Sequence, residues 1–189
     1  MTATYEAPFP EAMISGPDPG RTRVATLGGA LAQAVADRGE DPFFYLALGR
    51  DEPQLVTYRE IWLRALSVAE TLRDSGTRPG DRIFLLLPNG VDYVAGFFGI
   101  LLAGGTVVPW SPPGAGGSVD QIGFQIQDVL RDARPTRALT SQGWAEALGR
   151  LLGRPEDVLP IDGGNSEPNP GTPPAVSDPA DPAIIQYFP

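Results

Sequence analysis

The sequence predicts an α/β fold with a mostly parallel sheet flanked by helices. Three observations carry that prediction. Two apolar runs of strand length, Ile83–Leu87 and Thr106–Trp110, enclose a helix-length apolar segment, the spacing of a parallel crossover. The alternation of strand and helix then continues to Val158–Ile161. Gly, Pro and capping residues stand at the joints between the periodic segments.

Taken in order, residues 1–20 carry Pro8, Pro10, Pro17 and Pro19 with little periodicity and read as a flexible N-terminal arm. A helix is expected over Leu27–Ala36, ended by Gly39 and Pro42. Apolar runs Phe43–Leu48 and Leu55–Tyr58 flank Gly49–Pro53, the pattern of a hairpin. Tyr58, Ile61, Trp62, Ala65, Ala69 and Leu72 then recur at helical spacing. Thr57 and Glu60 hold the N-cap and N3 positions of a capping box, and Gly76 closes the helix.

Pro79-Gly80-Asp81 turns the chain into the strand Ile83–Leu87, whose unbroken apolar character suits burial on both faces. Asn89 and Asp92 are placed to cap a helix over Val91–Ala103, and Gly104-Gly105 releases it into the strand Thr106–Trp110. A Pro/Gly loop, Ser111–Gly117, leads to a second capping box, Ser118 with Gln121. That box opens a helix with Val119, Ile122, Ile126, Val129 and Leu130 inward. Arg137–Ser141 reads as a strand, Trp144–Leu152 as a helix and Val158–Ile161 as a short strand. Residues 162–182 hold six prolines and three glycines with no apolar period, and read as an exposed loop. Residues 183–189 look like the start of a further strand. The expected organisation is thus an arm (1–20), an α/β subdomain (21–161), a loop (162–182) and a strand start (183–189).

Composition narrows the chemistry. The 189 residues contain no Cys, no His and no Lys, all 14 basic residues being Arg. A Ser-His-Asp or Cys-His system, a Cys/His zinc site, a Schiff-base lysine and a disulfide are therefore excluded within this sequence. The net charge of −9 argues against a nucleic-acid partner, because an acidic surface repels phosphate backbones. The uncharged stretch Tyr93–Val108 is 16 residues long and rich in Gly, short of the roughly 20 that cross a bilayer; no membrane span is expected. The opening residues lack the basic flank and apolar run of a secretory signal, and the expected location is cytoplasmic.

Each candidate site has a bland reading beside it. Gly114-Ala115-Gly116-Gly117 precedes a helix as an anion-binding loop would, yet no Lys accompanies it. Asp128 and Asp132 share a helix face, but Arg131 and Arg134 are their neighbours, which favours a solvated charged face over an acid–base pair. Glu60 and Arg64 form a supporting i, i+4 pair. Tyr93, Phe97 and Phe98 fall on a helix where core packing is the default and a ligand wall the minority reading. No residue of the chain is thus assigned a catalytic, cofactor-binding or metal-binding role.

Placed in order, the segments resemble the start of the adenylate-forming (AMP-binding) enzymes: acyl-CoA synthetases, fatty acyl-AMP ligases and nonribosomal peptide synthetase adenylation domains. Val56-Thr57-Tyr58-Arg59-Glu60-Ile61 is similar to the first core motif, and Pro79-Gly80-Asp81-Arg82-Ile83 to the turn before a strand. Leu102-Ala103-Gly104-Gly105-Thr106-Val107-Val108-Pro109 is similar to the second core motif. Ile184-Ile185-Gln186-Tyr187 matches the beginning of the third, where Phe188-Pro189 replaces the Thr-Ser-Gly that leads into the phosphate loop. Leu87-Pro88-Asn89-Gly90, Phe97-Phe98-Gly99 and Pro112-Pro113 lean toward the fatty acyl-AMP ligases.

The resemblance implies the first subdomain of the family's large N-terminal domain, truncated before the phosphate loop. It implies activation of a carboxylate by ATP and Mg to an acyl-adenylate, followed by transfer to CoA or a carrier-protein thiol, as in natural-product biosynthesis. The family's phosphate loop, nucleotide pocket, metal-binding Glu and C-terminal lysine have no counterparts in these residues, so the chain alone is expected to be catalytically incompetent. Its expected partners are the remainder of the ligase, in cis or as a second chain, and an acyl carrier protein or CoA. A homodimer through the exposed sheet edge is a further expectation. The alternative is a non-catalytic interaction module or split-enzyme subunit that docks on a carrier protein or a ligase.

Overall fold

The computed structural model describes residues 24–46, 53–113, 119–161, 174–175 and 178–187. The arm, the centre of the hairpin turn, the Gly114–Gly117 loop, the Ser118–Gln121 capping box and the pair Phe188-Pro189 lie outside the described residues or side chains.

Helix α1 (Leu27–Arg38) begins where Thr26 Oγ1 accepts the Gly29 amide at 3.1 Å. Strands β1 (Pro42–Leu46) and β2 (Gln54–Thr57) pair as the expected antiparallel hairpin. Helix α2 (Tyr58–Asp74) follows at once; Thr57 Oγ1 accepts the Glu60 amide at 3.1 Å, and the Glu60 carboxylate accepts from Arg64 at 3.0 Å. Tyr58 therefore opens the helix and does not close the strand, because the cap at Thr57 fixes the boundary.

Strands β3 (Arg82–Leu86), β4 (Thr106–Trp110), β5 (Arg137–Thr140) and β6 (Val158–Pro160) form one parallel sheet in the order β4-β3-β5-β6. Helix α3 (Val91–Leu102) joins β3 to β4, α4 (Val119–Ala133) carries the chain across to β5, and α5 (Gln142–Leu152) leads to β6 through a short 3-10 turn at Pro155–Asp157. Beyond β4, Ile184 makes a parallel bridge to Val107. The Val107 amide donates to Ala183 O and the Ile185 amide to Val107 O, both at 2.9 Å. Ala183–Ile185 thus lie along the β4 edge.

Side chains alternate between the two faces of a strand. Ile83, Leu85 and Leu87 accordingly pack with Val107 and Leu139 under α2 and α3, while Phe84 and Leu86 pack with Val108 and Ala138 under α4 and α5. This two-sided burial is why β3 reads as an unbroken apolar run. On the first face the helices touch through Gly99: a Cβ there would lie 2.6 Å from Val68 Cβ and 3.0 Å from Ala65 O. A third cluster, Leu31, Val56 and Ile61, ties α1 and the hairpin to α2.

One further expectation is corrected. Neither Asn89 nor Asp92 caps α3: its N-cap is Gly90, with no side-chain cap, and the Asp92 carboxylate faces Arg64 of α2 at 3.9 Å. A tertiary charge partner has won over the local amides. The described residues of 162–182 are in turns or irregular structure and almost all exposed, and two of them are tied to the core: the Ala175 amide donates to Leu102 O at 2.8 Å and Pro182 O accepts from Thr106 Oγ1 at 2.7 Å. A helix leaves its last carbonyls without intrahelical donors, and Ala175 satisfies one of them. Tyr93–Val108 resolves into α3 and the start of β4, and among the described residues no helix is long and apolar enough to cross a membrane.

Candidate functional site

In open parallel sheets ligands bind outside the carboxyl ends of the strands, where the chain connections diverge. Here β3 connects through α3 to β4 on one side, and β5 connects through α5 to β6 on the other. The connections therefore diverge between the ends of β3 and β5. At that point the buried Thr140 hydroxyl donates to Leu86 O at 2.9 Å, and the Ile161 amide donates to Thr140 O at 2.8 Å. Leu87-Pro88-Asn89, Ser111-Pro112-Pro113 and Ser141 are the segments that leave the carboxyl ends.

The side chains singled out from the sequence are placed as follows. Asp128 pairs with Arg131 at 2.9 Å on the exposed side of α4, while the Asp132 carboxylate accepts a short hydrogen bond from the Tyr187 hydroxyl. The two carboxylates are thus committed to different partners and form no acid–base pair. Tyr93, Phe97 and Phe98 are half-buried against the α2–α3 core, with Phe97 and Phe98 edge-to-face at 5.4 Å. Burial pushes the Tyr93 phenol above its ordinary pKa. Core packing is the role these aromatics fill.

One cluster was missed. The Arg137 guanidinium donates to Asp157, Thr136 O, Ser75 Oγ and Ser75 O, so it ties β5 to the 3-10 turn and to the end of α2. Arg154 reaches the same Asp157 at 3.1 Å. The repeat of Arg at 131, 134, 137 was the available signal.

The bond to Asp132 holds the Tyr187 phenol above its ordinary pKa; burial and the Asp132 charge add to the effect, and the Arg82 charge opposes it. The neutral phenol is therefore favoured in the folded chain. Its contribution to stability is complete below the ordinary tyrosine value of about 10 and is lost as pH rises through the folded value. Asp132→Asn is expected to lower the Tyr187 titration midpoint, followed by NMR of the ring carbon. An unmoved midpoint would show that the bond is not formed in solution.

An open parallel sheet with helices on both faces defines a doubly wound α/β protein. The sequence matches the AMP-binding enzyme family over residues 31–187, and the chain belongs to that family. It is 35% identical over 117 residues to the long-chain-fatty-acid–AMP ligase FadD26 of Mycobacterium tuberculosis, an alignment that covers 59% of this chain and 19% of that protein. It is 34% identical over 106 residues to the putative fatty-acid–CoA ligase fadD21 of Mycobacterium leprae, covering 56% and 17%. The chain thus spans about a fifth of the length of these relatives.

Among solved structures, the fatty acyl-adenylate ligase of L. pneumophila in complex with acyl adenylate and pyrophosphate aligns with a TM-score of 0.72 at 21% identity, over 87% of this chain and 28% of that one. The nonribosomal peptide synthetase FmoA3 aligns with a TM-score of 0.65 at 24% identity, over 86% and 16%. At these identities the likeness is one of fold. The expected recognition and fold class both stand.

The family uses ATP and Mg. Among the described residues no group of three or more Asp, Glu, His or Cys is placed to hold a metal ion, and the sequence has no lysine to meet a nucleotide phosphate. No step of ATP chemistry is assigned to the described residues.

Proposed function

We propose that this chain is the opening part of the large domain of an ATP-dependent acyl-activating ligase. That ligase converts a carboxylate and ATP to an acyl-adenylate and pyrophosphate, then passes the acyl group to CoA or a carrier-protein thiol. The observation that carries the proposal is the family match over 31–187, which runs through the Val107–Ile184 bridge to the segment resembling the start of the third motif. The likeness to FadD26, a long-chain-fatty-acid–AMP ligase, and to the L. pneumophila fatty acyl-adenylate ligase supports a fatty carboxylate as substrate. Residues 21–161 serve as the α/β subdomain, and 183–189 as the start of the strand toward the phosphate loop. The arm and the loop 162–182 flank them.

In this reading residues 1–189 supply scaffold and no catalytic, cofactor-binding or metal-binding group. The absence of Lys supports this, because the lysine of the family's C-terminal domain has no counterpart in these residues. The remainder of the ligase covers the outer edges of the sheet; without it, a homodimer through an open edge is expected. A supply of ATP makes the cytoplasm the proposed location.

The test is fatty-acid-dependent ATP–pyrophosphate exchange, with residues 1–189 assayed beside the same residues joined to a ligase remainder that carries the Thr-Ser-Gly loop and the C-terminal lysine. Exchange only in the joined form is expected. Exchange by residues 1–189 alone would overturn the scaffold reading, and a joined form that folds but stays inactive on every carboxylate would favour a docking module.

A further inference from the structure

At the amino end of the sheet, far from the carboxyl edge, the last turns of α4 and α5 border a solvent-open hollow of about 410 Å³. That is the size of a small-molecule site. Leu130, Pro135 and Leu151 give it apolar walls, and Arg131, Arg134 and Arg154 line it with positive charge.

The three arginines are not equivalent. Arg154 is held by Asp157 at 3.1 Å and donates to Pro135 O at 2.9 Å. Arg131 pairs with Asp128, but both side chains are largely exposed, at 76% and 86%, and an exposed pair of this kind is readily exchanged for a better partner. The Arg134 side chain has no ion pair or hydrogen bond among the described residues. Asp132, the remaining carboxylate on this turn of α4, is taken by Tyr187.

Arg134 also has the only positive φ, 48°, among the described non-glycine residues. Its amide donates to Leu130 O at 3.0 Å, the left-handed closing turn of a helix that glycine adopts without strain. A long cationic side chain occupies a backbone position that penalises any side chain. Arginine at a helix C-terminus also balances the helix dipole, but that role requires neither a hollow nor apolar walls. A guanidinium fork matches a phosphate in charge and shape, and the leucines suit a hydrocarbon chain attached to it.

We propose that this hollow binds a phosphate monoester bearing an apolar chain, with Arg134 as the principal anion contact, Arg131 as the second, and Leu130, Pro135 and Leu151 against the chain. The proposal is independent of the adenylation reading, because none of these residues lies at the carboxyl edge.

The test titrates the full chain with octyl phosphate below its micelle concentration, followed by NMR and calorimetry, with octanol, octanoate and inorganic phosphate as comparisons. Saturable one-to-one binding is expected, with shifts at Leu130, Arg134 and Leu151. Each comparison ligand should bind at least about tenfold more weakly, since each lacks the chain, the charge or the second negative charge. Arg134→Gly should weaken octyl phosphate at least about tenfold while leaving the melting temperature equal or higher, because glycine relieves the left-handed strain. No saturable binding, equal binding of octanol, or Arg134→Gly that keeps full affinity would each overturn the proposal. Octanoate binding as tightly as octyl phosphate would overturn the assignment to a phosphate. A lower melting temperature in Arg134→Gly would show that the side chain serves the fold.

Discussion

Phe84→Ala is expected to remove about 3–5 kcal/mol of stability, the usual cost of emptying a fully buried phenylalanine site. Phe84 is 0% exposed and sits on β3, with β4 on one side and β5 on the other. Its ring faces the α4–α5 side with Leu86, Val108, Ile126 and Leu148. Backbone hydrogen bonds to two neighbouring strands hold β3 in place, so little collapse can refill the space. A native domain is stable by only about 5–15 kcal/mol, and the loss is a large share of that. Urea unfolding should show a lower midpoint with an unchanged slope. Phe84→Leu, which keeps most of the volume, should cost about 1 kcal/mol. A loss below about 1 kcal/mol for the alanine variant would mean that α4 and α5 are not packed on this face as described.

Gly99→Val is expected to cost about 3 kcal/mol, for the opposite reason. A Cβ at position 99 would stand 2.6 Å from Val68 Cβ and Cγ1 and 3.0 Å from Ala65 O. Neither a β-branched side chain anchored at its own Cβ nor a backbone oxygen can step aside without moving α2. Overpacking costs typically about 1–3 kcal/mol, against a helix-propensity gain of under about 1 kcal/mol on leaving glycine. Gly96 makes the contrast: a Cβ there would meet Leu85 Cδ1 at 3.0 Å, the far end of a flexible side chain, so Gly96→Ala should be the milder change. Val68→Gly removes both atoms that stand at 2.6 Å, the Cβ and Cγ1, and so opens most of the space that Gly99→Val needs. The double variant should therefore be more stable than the two single losses added together. Simple additivity would place the two helices farther apart at this crossing.

The same glycine marks a limit of sequence reading. Position 99 stands in an apolar run, and its spacing gives the helix, but nothing local says which residue of α2 approaches it. What was legible depends on period and punctuation. The run Ile83–Leu87 announces a strand buried on both sides because its odd and even residues face different helices. Thr57 three residues before Glu60 marks the start of α2 to within a residue.

What was not legible depends on partners distant in sequence. Asp92 looks like a cap until Arg64 is brought beside it, and nothing near Ala175 says that its amide meets Leu102 O. The chemistry open to the chain was bounded by the missing Lys, His and Cys. The Arg134 hollow was not readable, because it is assembled from the ends of two helices whose sequences meet only in the folded chain.

The docking of Ala183–Ile185 on β4 also sets a timetable. Thr106 and its partner Pro182 are 76 residues apart. At synthesis rates of about 5–20 residues per second, roughly 4–15 s pass between their additions to a growing chain. Over that interval β4 can complete its inner pairing with β3 while its outer row of amides and carbonyls still waits for Ala183–Ile185. Any extended segment nearby offers those groups the same bonds. The time between making a strand and making its neighbour, rather than the final stability of the sheet, then decides how much newly made chain is exposed to the wrong partner.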